Sequence, residues 1–174
     1  MDPSRRRLFG RSPCSAPFRP PWSVPESMFA DACTRCGDCV KACPTGLLRP
    51  GDGGFPAADF SAAACTFCGE CANACGSGAI ARDRPGAPWS YTVAIGDACL
   101  ARRRVECRVC GEACQAHDAC ALRFRPAVGG VYLPEVDEAA CTGCGACLAL
   151  CPTGAIMRVA RVARAPLALC GESS

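Results

Sequence analysis

Three times in this chain, four cysteines fall at the spacing C-x2-C-x2-C-x3-C, and nothing else in the sequence constrains the fold so severely. The first copy is Cys33, Cys36, Cys39 and Cys43, followed by Pro44. The second is Cys65, Cys68, Cys71 and Cys75, with Gly76 in place of the proline. The third is Cys141, Cys144, Cys147 and Cys151, followed by Pro152. This is the run that wraps a cubane [4Fe–4S] cluster: three thiolates from a tight loop reach three irons, and the fourth cysteine reaches the neighbouring cluster. The reading places that fourth cysteine at the start of a helix pointing away. Gly37, Gly69, Gly143 and Gly145 let the loop turn closely and aim amide N–H groups at the sulfurs. Zinc fits poorly, because it takes separated C-x2-C knuckles around one ion. Disulfides fit poorly as well: 19 cysteines cannot all pair.

A fourth, irregular copy lies between the second and third. Cys107, Cys110 and Cys114 match the last three positions of the run, and Arg104 occupies the first. Cys99, eight residues before Cys107, could supply the missing ligand across a longer loop; the alternative is a degenerate relic with only structural thiols. Such a cluster pairs with that of the third copy and gives the third copy's fourth cysteine something to ligate. Crossed ligation then defines four sets: Cys33, Cys36, Cys39 and Cys75; Cys65, Cys68, Cys71 and Cys43; Cys141, Cys144, Cys147 and Cys114; Cys99, Cys107, Cys110 and Cys151. Three [4Fe–4S] clusters rest on the regular runs and a fourth on the irregular one. Cys14, Cys120 and Cys170 remain outside these sets and read as thiols without a role.

Composition agrees with a metal-held fold. The 174 residues contain 6 % aromatics, and the 50 % hydrophobic fraction is inflated by cysteine and alanine. A core of large side chains is therefore thin. No apolar run is long enough to span a membrane. Of the 19 basic groups all but Lys41 are arginine, and the formal charge is +3. Counting cluster thiolates turns that charge to about −5, so the arginines read as a solvated surface and not as a nucleic-acid site. His117 is the sole histidine, and no nucleophile–base pair, phosphate loop or nucleotide fingerprint is present, so no enzyme activity is expected. Arg5-Arg6-Arg7 hints at a twin-arginine signal, but prolines and arginines interrupt the apolar core such a signal needs. The expectation is no export signal and a cytoplasmic protein.

The segments between the runs set the organisation. Residues 1–28, rich in Arg, Pro and Ser, read as an extended arm. A first module spans 29–84, with a strand–turn–strand around Leu47-Leu48 and Phe55-Pro56-Ala57; Pro56 suggests an edge position. Asp83 to Pro88 is a linker. A second module spans 89–157, opening with the strand Tyr91 to Ile95 and repeating the strand–turn–strand at 123–126 and 131–133. Residues 158–174 form a tail, in which Val159 and Val162 face away from Arg158, Arg161 and Arg164 on a solvated helix or strand. The expected fold is α+β: two tandem, loop-rich, bacterial-type 2[4Fe–4S] ferredoxin-like modules with an N-terminal arm.

Each half resembles a two-cluster bacterial ferredoxin. The whole chain resembles the ferredoxin-type proteins of periplasmic nitrate reductase operons, the NapF family. The resemblance rests on Arg5-Arg6-Arg7, Arg19-Pro20-Pro21-Trp22-Ser23, Cys33-Thr34-Arg35-Cys36 and Cys65-Thr66-Phe67-Cys68. It rests above all on Thr92 to Ala101 with Val105-Glu106-Cys107-Arg108, and continues through Phe124-Arg125-Pro126 and Cys141 to Cys147. It implies a cytoplasmic iron–sulfur accessory protein. The partner it implies is the precursor of the nitrate reductase catalytic subunit, which must receive its own cluster before it is exported folded. A polyferredoxin electron carrier is the competing reading. The arm at 1–28 and the basic residues at 158–164 are the segments expected to adjust docking.

Overall fold

The computed structural model describes residues 18–61 and 63–161. The start of the arm, the end of the tail, Cys14 and Cys170 lie outside the described residues. In chain order the elements are α1 (Glu26–Ala32), α2 (Asp38–Lys41), β1 (Leu48–Pro50), β2 (Pro56–Ala58), α3 (Glu70–Asn73), β3 (Tyr91–Ile95), α4 (Val109–Ala116), β4 (Leu122–Pro126), β5 (Tyr132–Val136), α5 (Ala146–Leu150) and β6 (Ile156–Ala160). Among the described residues no helix is long and apolar enough to cross a membrane.

Each regular cysteine run folds as a loop that closes into one short helix. The residue after the second cysteine sits in the left-handed region and starts that helix: Gly37, Gly69 and Gly145 have φ of 78°, 86° and 81°. The third cysteine then lies inside the helix, and the fourth follows its end. The fourth cysteine therefore does not open a helix, contrary to the reading above. Cys43, Cys75 and Cys151 leave α2, α3 and α5, and the chain turns from there toward the next extended segment. The irregular copy differs: α4 is longer and contains both Cys110 and Cys114. No Pro or Gly follows Cys114 to stop the helix there.

The strands form three antiparallel pairs, β1–β2, β4–β5 and β3–β6. In the second half the outermost pair joins the two ends: Tyr91 opposes Ala160 and Ile95 opposes Ile156. The inner hairpin runs from Leu122 opposite Val136 to Pro126 opposite Tyr132. The first half repeats this plan in miniature. Its hairpin pairs Leu48 with Ala58 and Pro50 with Pro56. Its ends meet through Val24 N–H to the Ala79 carbonyl at 2.9 Å and Ala81 N–H to the Trp22 carbonyl at 3.1 Å, reduced to a single bridge at Ser23 and Ile80. Pro20, Pro21 and Pro25 on either side have no N–H to extend the ladder.

That bridge corrects the arm from residue 18 onward. Pro21 is fully buried, the Ala58 amide donates to the Phe18 carbonyl at 2.6 Å, and 26–32 is helix α1 with Phe29 fully buried. The Arg19 guanidinium forks onto Glu26 at 2.9 and 2.8 Å and stacks 4.7 Å from the Phe29 ring centre. A planar, delocalised cation of this kind packs where a lysine would stay in water.

The basic strand at the other end is corrected for the same reason. Arg158 lies 3.3 Å from the Phe18 ring centre. Arg161 donates to the carbonyls of Glu138, Tyr91 and Cys141 at 2.9, 3.3 and 2.6 Å. Both side chains are half-buried clamps, not a solvated face, and Arg164 lies outside the described residues.

The two halves touch through aromatics. Phe60 of the first packs edge-on against Trp89 and Tyr91 of the second at 5.4 and 5.8 Å, and Phe18 meets Tyr91 at 5.3 Å. The Tyr91 hydroxyl donates to the Gly143 carbonyl at 2.6 Å. Elsewhere the large-residue core is thin, and Cys39, Cys65, Cys71, Cys110, Cys114, Cys144 and Cys147 are themselves among its buried members.

Candidate metal centres

The 17 described cysteines are all free thiols. Sixteen of them stand in four groups, and Cys120 stands apart, exposed. Cys43, Cys65, Cys68 and Cys71 line one recess with about 330 Å³ of empty space. Cys114, Cys141, Cys144 and Cys147 line a second of about 330 Å³. Cys99, Cys107, Cys110 and Cys151 line a third of about 360 Å³. Cys33, Cys36 and Cys75 are the electrostatic neighbours of Cys39. The structure thus brings together each of the four sets that crossed ligation defines. Cys99 reaches its set because the chain turns back at the end of β3, where the Gly96 amide donates to the Ala155 carbonyl at 2.7 Å. A short turn of 3-10 helix at Ala101–Arg103 follows.

Among the described residues, no three His, Cys, Asp or Glu side chains converge to hold a single ion. The cysteines surround hollows instead, the disposition that a polynuclear guest requires.

Two groups of thiols stand out. Four that lie inside helices, Cys39, Cys71, Cys110 and Cys147, are pushed up, first by burial and then by the other cysteines of the ring. Cys39 and Cys110 reach about 11, and Cys71 and Cys147 about 12. Four such sulfurs repel one another as thiolates unless cationic metal sits among them, so loading is coupled to proton release.

The cysteines that end the regular runs are held below the ordinary thiol range. Burial pushes each of them up, but donors outweigh it. For Cys43 these are the Leu48 amide and the Thr45 hydroxyl; for Cys75, the Ser77 hydroxyl and the Ile80 amide; for Cys151, the amide and hydroxyl of Thr153 and the Ala155 amide. The hydroxyls lie 3.6, 3.6 and 3.8 Å from the sulfurs, and the Ala155 N–H 3.3 Å from Cys151 Sγ. Such donors stabilise a metal-bound thiolate and tune the centre it serves. In the irregular copy Ala116 stands where the hydroxyl would be, and the Ala121 amide donates to Cys114 Sγ at 3.2 Å instead.

Thr45, Ser77 and Thr153 were not among the residues expected at the site. Their signal was present: every regular run ends Cys-x-(Thr or Ser)-Gly. Trp89 and Tyr91, which meet Gly143 at the boundary of the halves, carried no comparable local signal.

The sets also adjoin one another. Cys71 lies within electrostatic reach of Cys39, and Cys147 of Cys110. Across the boundary the Cys65 amide donates to the Cys144 carbonyl at 2.8 Å.

Known families match this sequence. A 4Fe-4S dicluster domain matches residues 31–80, and a 4Fe-4S binding domain matches residues 134–157. The ferredoxin-type protein NapF of Haemophilus influenzae is 50 % identical over 139 residues, covering 80 % of this chain and 77 % of that protein. The chain belongs to the NapF family of ferredoxin-type proteins. NapF of Escherichia coli K12 is 43 % identical over 158 residues, covering 90 % of this chain and 94 % of that protein. The methylamine utilization ferredoxin-type protein MauM of Methylorubrum extorquens is 37 % identical over 151 residues, covering 79 % of this chain and 69 % of that protein. The chain is thus an iron–sulfur protein, with ferredoxin domains of the 4Fe-4S type in a small α+β fold.

Proposed function

We propose that this chain is a cytoplasmic accessory protein. It binds the precursor of the periplasmic nitrate reductase catalytic subunit and assists assembly of its iron–sulfur cluster before export. The observation that carries the reading is the kinship with NapF proteins across most of the length, which extends beyond the cysteine runs. In this reading the protein is two tandem twin-cluster modules, and the four cysteine sets hold four [4Fe–4S] clusters. When bound, a cluster supplies reducible iron and sulfide. The chain's own residues hold the iron through thiolates and direct amide and hydroxyl donors at the sulfurs. No residue of the chain is assigned a catalytic role. Cys36 and Cys68 are exposed, so two of the sets open toward a docked partner.

A strain lacking the protein tests this. It should export a nitrate reductase of low activity with fewer irons per catalytic subunit. Full iron occupancy in the exported enzyme would rule the reading out.

One observation favours a second reading, an electron carrier. The four cysteine sets succeed one another through the molecule, with Cys65 and Cys144 joined at the middle. A carrier predicts a fully loaded enzyme, normal activity with an artificial reductant, and a defect only with the physiological donor.

A further inference from the structure

Trp22 holds a backbone conformation that tryptophan avoids. Its φ is 60°, in the left-handed region where Cβ crowds the following carbonyl oxygen. Such a conformation persists only where the surroundings over-determine it, and it collects at sites with a task. Here the backbone is fixed from both sides. The Trp22 amide donates to the Pro88 carbonyl at 2.9 Å, and the Ala81 amide donates to the Trp22 carbonyl at 3.1 Å. The ring is held as well. It stands edge-on to Phe67 at 6.3 Å, and the Arg82 guanidinium lies 5.4 Å from its centre. A Cβ added at Gly69 would lie 2.6 Å from Arg82 Nη1, so Arg82 is itself pressed against the loop between Cys68 and Cys71.

The recess of Cys43, Cys65, Cys68 and Cys71 shows what this arrangement does. Trp22 and Phe67 both line it, whereas no aromatic residue among the described ones lines the other two recesses. Cys65 and Cys71 are buried, Cys43 is half-buried and Cys68 is exposed. The apolar shell around a metal centre controls the access of solvent to it, and an indole clamped in place is a broad, rigid piece of such a shell.

We infer that Trp22 is the wall that bars water and small solutes from the cluster held by Cys43, Cys65, Cys68 and Cys71, so that this cluster gives up its iron slowly. The inference rests on the ligand sets proposed above.

The test uses the anaerobically purified, fully loaded full chain, with EDTA as the probe. Trp22→Gly removes the ring and adopts a φ of 60° without strain, so the backbone is spared. Iron loss is followed by bleaching of the absorbance and, cluster by cluster, by EPR of reduced samples. One cluster should lose iron about tenfold faster than in the parent, the low end of what groups around a metal centre contribute, with the other clusters unmoved. In heavy water the same cluster should gain a deuterium coupling in pulsed EPR. Unchanged rates, a common acceleration of all clusters, or no gain in coupling overturns the inference. Cys68→Ser identifies the cluster and separates the two failures. Loss or conversion of one EPR signal upholds the ligand assignment, and if Trp22→Gly accelerates a different signal, the inference alone falls. Unchanged iron content and spectra in Cys68→Ser overturn the assignment and the inference together. If Trp22→Gly does not retain its clusters, Trp22→Phe, with its smaller ring, decides by the same comparison. Faster iron loss from that one cluster upholds the inference, and no selective change overturns it.

Discussion

Replacing Gly145 by alanine tests whether the two halves depend on backbone that only glycine can supply. Gly145 has φ of 81°, and an added Cβ would lie 2.1 Å from Phe60 Cδ1, 2.5 Å from Cε1 and 3.0 Å from Cγ. The left-handed backbone costs alanine about 1–2 kcal/mol. Phe60 is 6 % exposed and held by Trp89 and Tyr91, so it cannot swing aside, and overpacking adds about 1–3 kcal/mol. Together they come to about 2–5 kcal/mol, a large share of a small domain's stability. Gly37 is the control: φ is 78° but nothing lies within 4 Å of an added Cβ, so Gly37→Ala bears only the backbone cost. The two variants should differ by about 1–3 kcal/mol, or about 5- to 150-fold in rate when the Phe60 contact is lost on unfolding. The assay is anaerobic unfolding in guanidinium, followed by bleaching of the iron–sulfur absorbance. Gly145→Ala should bleach faster than Gly37→Ala, and Phe60→Leu added to Gly145→Ala should recover part of the difference. Equal rates for the two glycine variants, or no recovery in the double variant, would refute the argument from Phe60.

Further outcomes follow from the same contacts. Cys99→Ser should lose or convert one cluster and leave the rest, read from iron content and EPR; unchanged iron would remove Cys99 from the set with Cys107, Cys110 and Cys151. Thr153→Val removes a donor that holds the Cys151 thiol below the ordinary range. A thiol lowered by folding adds stability above its unfolded pKa and loses it as pH falls, so the variant should shed a cluster at a higher pH than the parent in an anaerobic acid titration. Chelating the iron should largely unfold the chain, seen as loss of far-ultraviolet circular dichroism, because seven cysteines occupy core positions that larger apolar side chains would otherwise fill. Arg158→Ala should lower stability by about 1–2 kcal/mol, measured in the same guanidinium assay, since the guanidinium stacks on Phe18 at 3.3 Å.

What the sequence determined by itself was local. Ligand spacing reflects how far a few residues of loop can reach, so the runs, their left-handed glycines and the sets Cys33 to Cys151 were legible from cysteine positions alone. The gathering of Cys99 with Cys107, Cys110 and Cys151 was legible because three cysteines in one short run call for a fourth nearby. The strand at Tyr91–Ile95 showed in its β-branched residues. The position of the helices within the runs was not, because one turn of helix has no periodicity to read; the left-handed glycine decides where it starts. Residues 18–28 and the arginines of β6 were misread because composition counts charge and proline without knowing what stands opposite. Only the tertiary structure placed Phe18 under Arg158 and Arg161 over the Cys141 carbonyl. Those partners lie 20 to 140 residues apart. They meet because β3 pairs with β6 and closes the second half, while the first half's ends close at Ser23 and Ile80. No local pattern encodes such closure; it follows from burying aromatic rings between two halves too small to bury them alone.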